Sequence, residues 1–256
     1  MFRLFEIIGN RFLKFIEEGG RLAIMFSKTL LWTFRRPLNL KNILIQMEEI
    51  GVNSIPVIMI TGAFTGMVLS LQSHTGFKRF GAETFVGTVV ALSMTRELGP
   101  VLSGLMVSGR VGSAMAAELG TMQVTEQIDA LYTLATNPIK YLIVPRFLAA
   151  TIIMPILTIF SDIIGIAGGY FVSIHMLGSN PTIYARRTWD FLKFNDVYSG
   201  LLKATVFGMI IAIVSCYHGF TAEGGASGVG KATTKAVVWS SLLILVANYF
   251  ITALMF

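Results

Sequence analysis

The chain has 256 residues, of which 54% are hydrophobic and only 13% are charged, and its mean hydropathy is +0.70. This composition excludes an ordinary soluble domain and a disordered chain, and it indicates an integral membrane protein. The formal net charge of +6 belongs mainly to the cytoplasmic membrane surface, so no nucleic-acid partner is predicted.

The N-terminal segment is too polar to span a bilayer, yet its pattern is regular. At about 100° per residue its charged side chains fall in an arc of about 140°, opposite an apolar side. We predict an amphipathic interfacial helix within residues 1–35, with a helix packed on a soluble partner as the alternative. The charged side comprises Arg3, Glu6, Arg11, Lys14, Glu17, Glu18, Arg21 and Lys28, and the apolar side comprises Leu4, Phe5, Ile8, Phe12, Phe15, Ile16 and Leu22.

Five transmembrane helices follow, which makes the predicted fold an all-α integral membrane protein with one domain over residues 1–256. The five-span region occupies residues 50–256, and its third span is one long helix interrupted only by Asp162. The predicted spans are Ile50–Phe77, Phe85–Val107, Phe147–Met176, Ala204–Ala222 and Ala236–Phe256. Small residues four apart predict close helix packing, at Gly62 and Gly66, Ser113 and Ala117, and Gly165 and Gly169.

Arg96 and Glu97 lie side by side at the middle of the second span. As a helix this span is about 35 Å long, against a bilayer core of about 30 Å, so both charges lie near mid-membrane. Each costs about 2.5 to 3.5 kcal/mol there, and such charges mark a polar cavity or pathway by default. Adjacent helical residues point about 100° apart, so each charge needs a partner on another segment or in a ligand.

The positive-inside rule places the N-terminus in the cytoplasm and, after five spans, the C-terminus on the opposite side. Thirteen Lys and Arg residues lie on the side of the N-terminus, eight of them before the first span, whereas six lie in the opposite loops. The predicted orientation therefore depends on the N-terminal segment.

The connection between the second and third spans contains a short predicted helix. Thr125 is its predicted N-cap, and Ile128, Leu131 and Ala135 share one side. Asn137 followed by Pro138 ends it. Such a helix with acidic neighbours is suited to receive force from a cytoplasmic partner, although an ordinary surface helix fits the same pattern.

No catalytic or metal site is predicted. The segment from Gly225 to Lys231 has the spacing of a phosphate-binding loop, but Ala232 stands where a magnesium-binding hydroxyl is required. We therefore predict a flexible hinge there. Cys216 is alone, which excludes an internal disulfide, and no histidine has a neighbour at metal-ligand spacing.

Several motifs closely resemble those of the MlaE (YrbE-type) permease family, and the resemblance extends from about residue 50 to the C-terminus. They are Arg96–Pro100 (RELGP), Gly109–Ser113 (GRVGS), Ala117–Met122 (AELGTM), Thr125–Leu131 (TEQIDAL) and Pro145–Phe147 (PRF). Members of this family form the membrane subunit of an ABC transporter that moves phospholipids between the inner and outer membranes of bacteria and maintains outer-membrane lipid asymmetry.

The resemblance implies a homodimer in the inner membrane, with the C-terminus in the periplasm. It also implies two cytoplasmic ATPase subunits and a periplasmic hexamer of MCE-domain proteins, and some members bind a small STAS-domain regulator. The partner ATPase binds ATP, so the chain itself needs no cofactor and is not an enzyme.

The resemblance also suggests two sets of site residues. A lipid cavity between two copies has Arg96 and Glu97 on its wall, and to it we add Lys203 as a partner for Glu97 or a lipid phosphate. Apolar lining is predicted from Leu69, Phe77, Phe80 and Leu98. The alternative is that the charged pair only braces helices. Contact with the ATPase is predicted for Glu118, Thr125, Glu126, Ile128, Asp129 and Leu131.

Two other functions fit a membrane protein with charges at mid-membrane. An ion-coupled secondary transporter uses such a carboxylate, but it usually has repeated halves, which five dissimilar spans do not display. A non-transporting scaffold for a periplasmic complex is the other. Neither of them predicts an ATPase partner, whereas the permease does.

Overall fold

The computed structural model describes residues 2–35, 37 and 39–255, which form helices joined by short connections. The prediction of an all-α fold is therefore confirmed. In chain order the α-helices are α1 (Phe2–Thr33), α2 (Leu40–Gly51), α3 (Ile55–Lys78), α4 (Val86–Ser93), α5 (Gly99–Val107), α6 (Ser113–Val124), α7 (Gln127–Thr133), α8 (Val144–His175), α9 (Pro181–Phe191), α10 (Phe194–Phe220) and α11 (Gly225–Met255).

Five helical stretches of the described chain are long and apolar enough to cross a membrane, which confirms the predicted number of spans. Short 3-10 and π-helical segments join several of the α-helices into these stretches. All but the third begin at least ten residues before the predicted span or end well beyond it. The reason is that a helix continues past the apolar segment that crosses the hydrocarbon region. The five spans are Leu40–Lys78, Glu83–Val124, Ile139–His175, Phe194–Phe220 and Gly225–Met255.

The predicted hinge after the fourth span is wrong. Residues 225–231 form the first two turns of α11, and the connection is limited to residues 221–224. Gly224 and Gly225 take positive φ values of 88° and 70°, which turn the chain before the helix begins. Gly228 then lies so close to the backbone of Glu223 that a Cβ would overlap its carbonyl oxygen. The glycines thus allow a tight turn and close packing.

The short helix between the second and third spans is present, but its predicted boundaries are wrong. Thr125 follows α6, and its hydroxyl donates a hydrogen bond to the Thr121 carbonyl oxygen at 2.8 Å, so it caps the end of that helix. Glu126 stands at the N-cap of α7 with a φ of 59°. Ala135 lies beyond α7, also with positive φ, because the helix ends before the predicted stop.

The N-terminal segment is helical, as predicted, and α1 packs against the start of the third span through an edge-to-face contact of Phe26 with Phe147 at 6.1 Å. Its position on the membrane remains a prediction. The pattern also depends on side chains outside the described ones, which are those of Arg3, Leu4, Phe5, Glu6, Ile8, Arg11, Phe12, Lys14 and Phe15.

Glycines let the backbones of the first and third spans approach closely. A Cβ on Gly66 would overlap the carbonyl oxygen of Gly165, and one on Gly62 would lie 2.9 Å from the Ser161 carbonyl oxygen. The predicted packing role of these small residues is confirmed at this crossing. Similar contacts join the fourth span to the third, at Gly208 against Ala150, and to the second, at Gly200 against Thr95.

We predict that Gly66→Ala lowers the free energy of unfolding by about 1–3 kcal/mol, because a methyl group forces the two helices apart. The matched control is Gly76→Ala on the same helix, where a Cβ meets nothing within 4 Å. That change should be neutral or slightly stabilising, since alanine favours a helix over glycine. Thermal unfolding in detergent checks both. Equal effects of the two changes would contradict the close approach.

Candidate functional site

The charged pair of the second span lies in a π-helical turn, Met94–Leu98. The Gly99 N–H donates to the Met94 carbonyl oxygen, five residues back, and Pro100 has no N–H to donate to the Arg96 carbonyl oxygen. That oxygen instead accepts a hydrogen bond of 2.8 Å from Lys203 Nζ. Proline therefore frees a backbone acceptor within the second span, and a lysine of the fourth span occupies it.

Glu97 connects the second span to the fourth and fifth spans. Its Oε1 accepts from Lys203 Nζ at 2.6 Å and from the Thr252 hydroxyl at 3.1 Å, and its Oε2 accepts from Asn248 Nδ2 at 2.9 Å. Lys203 is fully buried, so its charge depends on this carboxylate. The predicted pairing of Lys203 with Glu97 is confirmed, and contact of Lys203 with a lipid phosphate is not needed to explain it.

Arg96 points to the start of the fourth span. Its Nε donates to Asp196 Oδ1 at 2.8 Å, while Asp196 Oδ2 accepts from the Lys193 N–H at 3.0 Å. Asp196 therefore does two things at once, because it pairs with the guanidinium and caps the first turn of α10. Each charge of the pair has found its partner on another segment, as predicted.

The network is buried on one side only. Asp196 and Lys203 keep 2% and 0% of their side-chain surfaces exposed, whereas Arg96 and Glu97 keep 35% and 37%. The exposed parts face outward from the single chain, about a third of the way along the second span. A surface of this kind is available to a ligand or to a second copy.

An apolar groove of about 440 Å³ lies between the first and second spans and is reached by Leu98, the residue after the charged pair. It brings together the predicted lining residues Leu69 and Leu98. Phe77 instead packs against a cluster around Val90 and Met94, and Phe80 is 82% exposed in the turn after α3. The groove is lined by Phe64, Thr65, Val68, Leu69, Gln72 and Leu98.

Three partners in the network, Asp196, Asn248 and Thr252, are not among the residues predicted from the sequence. Asp196 precedes Lys203 by seven residues, two helical turns, so one face of α10 carries both charges. Asn248 and Thr252 are four apart in an otherwise apolar span, which also puts them on one face. This spacing of polar residues is the signal that finds all three.

Asp162 is a further buried acid, in the third span. Its Oδ1 has no hydrogen-bond partner among the described residues, and it lies against Gly99, where a Cβ would overlap it. The sequence showed this residue only as an interruption of an apolar stretch. The structure places it directly behind the π-helical turn.

The predicted contact residues for an ATPase divide into two groups. Ile128 is 2% exposed and Leu131 packs beside it, so these two anchor α7 to the core of the chain and do not present themselves to a partner. Glu126 and Asp129 are exposed, as is Tyr132 at 58%. The outer face of α7 is therefore acidic and aromatic.

Glu118 lies apart from that face. Its carboxylate pairs with Arg146 at 2.6 Å, and Arg146 is buried and also donates to the Leu142 carbonyl oxygen at 2.8 Å. The ion pair ties the inner end of the second span to the start of the third. Glu118 thus has a partner within the chain and keeps half of its side chain exposed.

Comparison with known proteins gives consistent matches over nearly the whole chain. The family model described as Permease MlaE matches residues 43–254. A probable ABC transporter permease protein of Rickettsia typhi is 53% identical over 98% of this chain and 97% of its own length. The chloroplastic protein TRIGALACTOSYLDIACYLGLYCEROL 1 of Arabidopsis thaliana is 38% identical over 95% of this chain and 69% of its own length. The intermembrane phospholipid transport system permease protein MlaE of Haemophilus influenzae is 35% identical, over 97% and 96% respectively.

We predict that Lys203→Met destabilises the protein by about 2 kcal/mol, which is less than a fully buried ion pair would lose because Glu97 is partly exposed. The double change Glu97→Gln with Lys203→Met should recover part of that loss, since no carboxylate is then left unpaired, while the Arg96 carbonyl oxygen still lacks its donor. Thermal unfolding of the detergent-solubilised protein measures both.

The control for this cycle is Arg186→Gln, which breaks an exposed pair with Asp190 at 3.6 Å. Exposed pairs contribute at most about 1 kcal/mol, so its effect should be small. A double variant as unstable as Lys203→Met alone would contradict the ionic coupling.

Proposed function

Because the chain belongs to the MlaE permease family, we propose that it is the membrane subunit of an ABC transporter that moves phospholipids between the inner and outer membranes. The transport maintains the lipid asymmetry of the outer membrane. The phospholipid transport named for the Haemophilus influenzae relative supports this choice of substrate.

One observation carries the proposal, namely that the second span presents a partly exposed cation and an apolar groove at the same level. Arg96 is 35% exposed, and Leu98, two residues later on another side of the helix, lines the groove. A phospholipid has the matching chemistry, with an anionic phosphate for the guanidinium and acyl chains for the groove. Lipid contact and bracing of the helices are compatible, since the inner sides of both charges bind the chain itself.

The lipid is held between two copies of the subunit. The fifth span supports this, because only 11% of its most apolar stretch is buried in the single chain, against 56% for the fourth span. Apolar side chains remain exposed along it, at Leu242, Leu245, Val246 and Phe250. A second copy covers part of this surface and encloses the cavity beside Arg96 and Glu97.

ATP is hydrolysed on a separate ATPase dimer that docks on α7. The second span runs as one helix from the charged pair to α6, and α7 follows after a turn of two residues. A movement of α7 is therefore transmitted along one element to the lipid cavity. Exposed Glu126, Asp129 and Tyr132 supply the contacts, and Ile128 and Leu131 hold α7 to the core.

The subunit lies in the bacterial inner membrane with its N-terminus in the cytoplasm and its C-terminus in the periplasm. The basic N-terminal segment supports this orientation. On the periplasmic side the lipid passes to a hexamer of MCE-domain proteins, and a small STAS-domain protein acts as a cytoplasmic regulator.

We predict that Leu69→Trp lowers lipid transfer by the reconstituted complex at least about tenfold, because the larger indole ring occupies groove volume that an acyl chain would fill. Ile60→Trp is the control, since Ile60 lies on the same helix, is 60% exposed and does not line the groove. Transfer between vesicles and mass spectrometry of co-purified lipid are the measurements.

Substitution of Arg96 in the charged pair provides a complementary test. If Arg96→Ala leaves transfer and co-purified phospholipid unchanged in an assembled complex, the lipid cavity is not at this site. If Arg96→Ala prevents assembly, its role is structural. Transport without any ATPase subunit would favour an ion-coupled transporter, and failure of the intact complex to transfer lipid would favour a scaffold.

We also predict that Asp129→Lys weakens association with the ATPase about tenfold or more, because a reversed charge meets the groups that normally attract it. Glu83→Lys makes the same reversal at the opposite end of the second span and should have no effect. Co-purification from detergent extracts measures the difference. Equal amounts of ATPase with both variants would count against docking at α7.

A further inference from the structure

Two cations meet on one aromatic ring where α1 ends and the third span begins. The Arg35 guanidinium carbon lies 5.0 Å from the centre of the Trp32 indole ring, and Lys140 Nζ lies 5.6 Å from the same centre. Each is within the range of a cation–π contact. Both positive charges therefore contact the same indole ring, although their residues are more than a hundred positions apart in the chain.

Within the described part of the chain, neither Arg35 nor Lys140 forms an ion pair with Asp or Glu, and every such pair involves other cations. Two like charges on one ring repel each other, and an anion close to both makes the local interaction favourable. The described residues supply no such anion.

A small pocket adjoins the cluster and shares Lys140 with it, whereas Trp32 and Arg35 lie outside its lining. Its volume is about 190 Å³, and it lies between the connection after α1 and the start of the third span. Polar side chains on its wall supply hydroxyl and amide groups besides the ammonium. The polar and basic lining comprises Asn39, Thr136, Asn137, Lys140 and Tyr141.

The surroundings of this cluster are apolar and exposed. Leu31 and Phe34 on one side are 65% and 82% exposed, and Leu40 and Leu44 on the other are 68% and 64% exposed. Surfaces of this kind on a membrane protein contact acyl chains. The missing anion therefore comes with acyl chains attached, and a soluble anion would leave these side chains in water.

We propose that Trp32, Arg35 and Lys140 form a binding site for the phosphate of an anionic phospholipid. In the proposed orientation the lipid belongs to the cytoplasmic leaflet, far along the bundle from the groove at Leu69 and Leu98. It is a resident lipid and is not the transported one. The site needs the chain to lie in a membrane but does not depend on transport.

The position of the site links the bilayer to α7. Thr136 and Asn137 on its wall follow α7 within four residues of its end. Asn137 Oδ1 accepts from the Ile139 N–H at 3.0 Å and so fixes the entry to the third span. A lipid phosphate here stabilises the segment on which α7 is mounted.

Native mass spectrometry of the full chain in detergent, titrated with phosphatidylglycerol or phosphatidylethanolamine, tests the site. Lys140→Gln and Arg35→Gln should each weaken phosphatidylglycerol binding about fivefold, and together about twenty-five-fold, because each basic residue near an anionic lipid contributes a similar amount. Binding of zwitterionic phosphatidylethanolamine should change little. Lys231→Gln, an exposed lysine at the start of α11, is the matched control and should bind like the parent.

Two further measurements define the ligand. Inorganic phosphate at millimolar concentration should not displace phosphatidylglycerol, and displacement would show a site for free phosphate. Unchanged lipid binding in the Arg35 and Lys140 variants would overturn the proposal and leave the acidic side chain of a partner protein as the missing anion. Lys140→Arg keeps the charge and should retain binding if Lys140→Gln fails to fold.

The outcome is separate from that of the proposed transport. A loss of lipid transfer in Leu69→Trp with normal phosphatidylglycerol binding supports both sites. Normal transfer by that variant overturns the groove alone, and it leaves the site at Trp32 to be judged by its own titration.

Discussion

The buried ion pair of Lys203 with Glu97 is the contact on which the rest of the bundle depends. A lone charge at the centre of a membrane span costs about 2.5 to 3.5 kcal/mol, so each of the two residues stabilises the other. Because Glu97 also accepts hydrogen bonds from Asn248 and Thr252, the same carboxylate draws the fifth span onto the second and fourth. Arg96, the next residue, fixes the start of the fourth span through Asp196. The two charged residues of an otherwise apolar segment, Arg96 and Glu97, thus determine how the second, fourth and fifth spans meet.

A proline four residues after Arg96 makes this geometry possible. In a regular helix Pro100 would leave the Arg96 carbonyl oxygen unpaired and crowd it, at a cost of about 3 kcal/mol or more. The π-helical turn relieves the crowding, and Lys203 Nζ supplies the missing donor. Wide turns of this kind are frequent at functional sites. Here the turn lets two adjacent side chains reach different partners, while Leu98 faces the groove.

Composition and charge were enough to predict the class of fold, the number of spans and the need of Arg96 and Glu97 for separate partners. These predictions succeed because a chain that spans a lipid bilayer can adopt few backbone structures. The errors came where the decision depends on tertiary contacts. Gly225 to Lys231 has the composition of a loop, yet it is helical because Gly228 and Ala232 pack closely there. Thr125 has the properties of an N-cap, but its hydroxyl bonds backward to the preceding helix. Sequence alone supplies the polar spacings and does not say which partners they meet.

The fifth span is attached differently from the other four. Glycines bring the first, third, fourth and second spans into backbone contact, whereas no described glycine of α11 lies against the backbone of another span. Side chains hold α11 instead, through buried Ile244 in the core and through polar contacts of Ser240 with Ser108 and of Asn248 and Thr252 with Glu97. The first four spans are therefore joined backbone to backbone, where close packing leaves little room for a shift. The fifth span is joined to them through side chains, so its position depends on rotamers and hydrogen-bond partners.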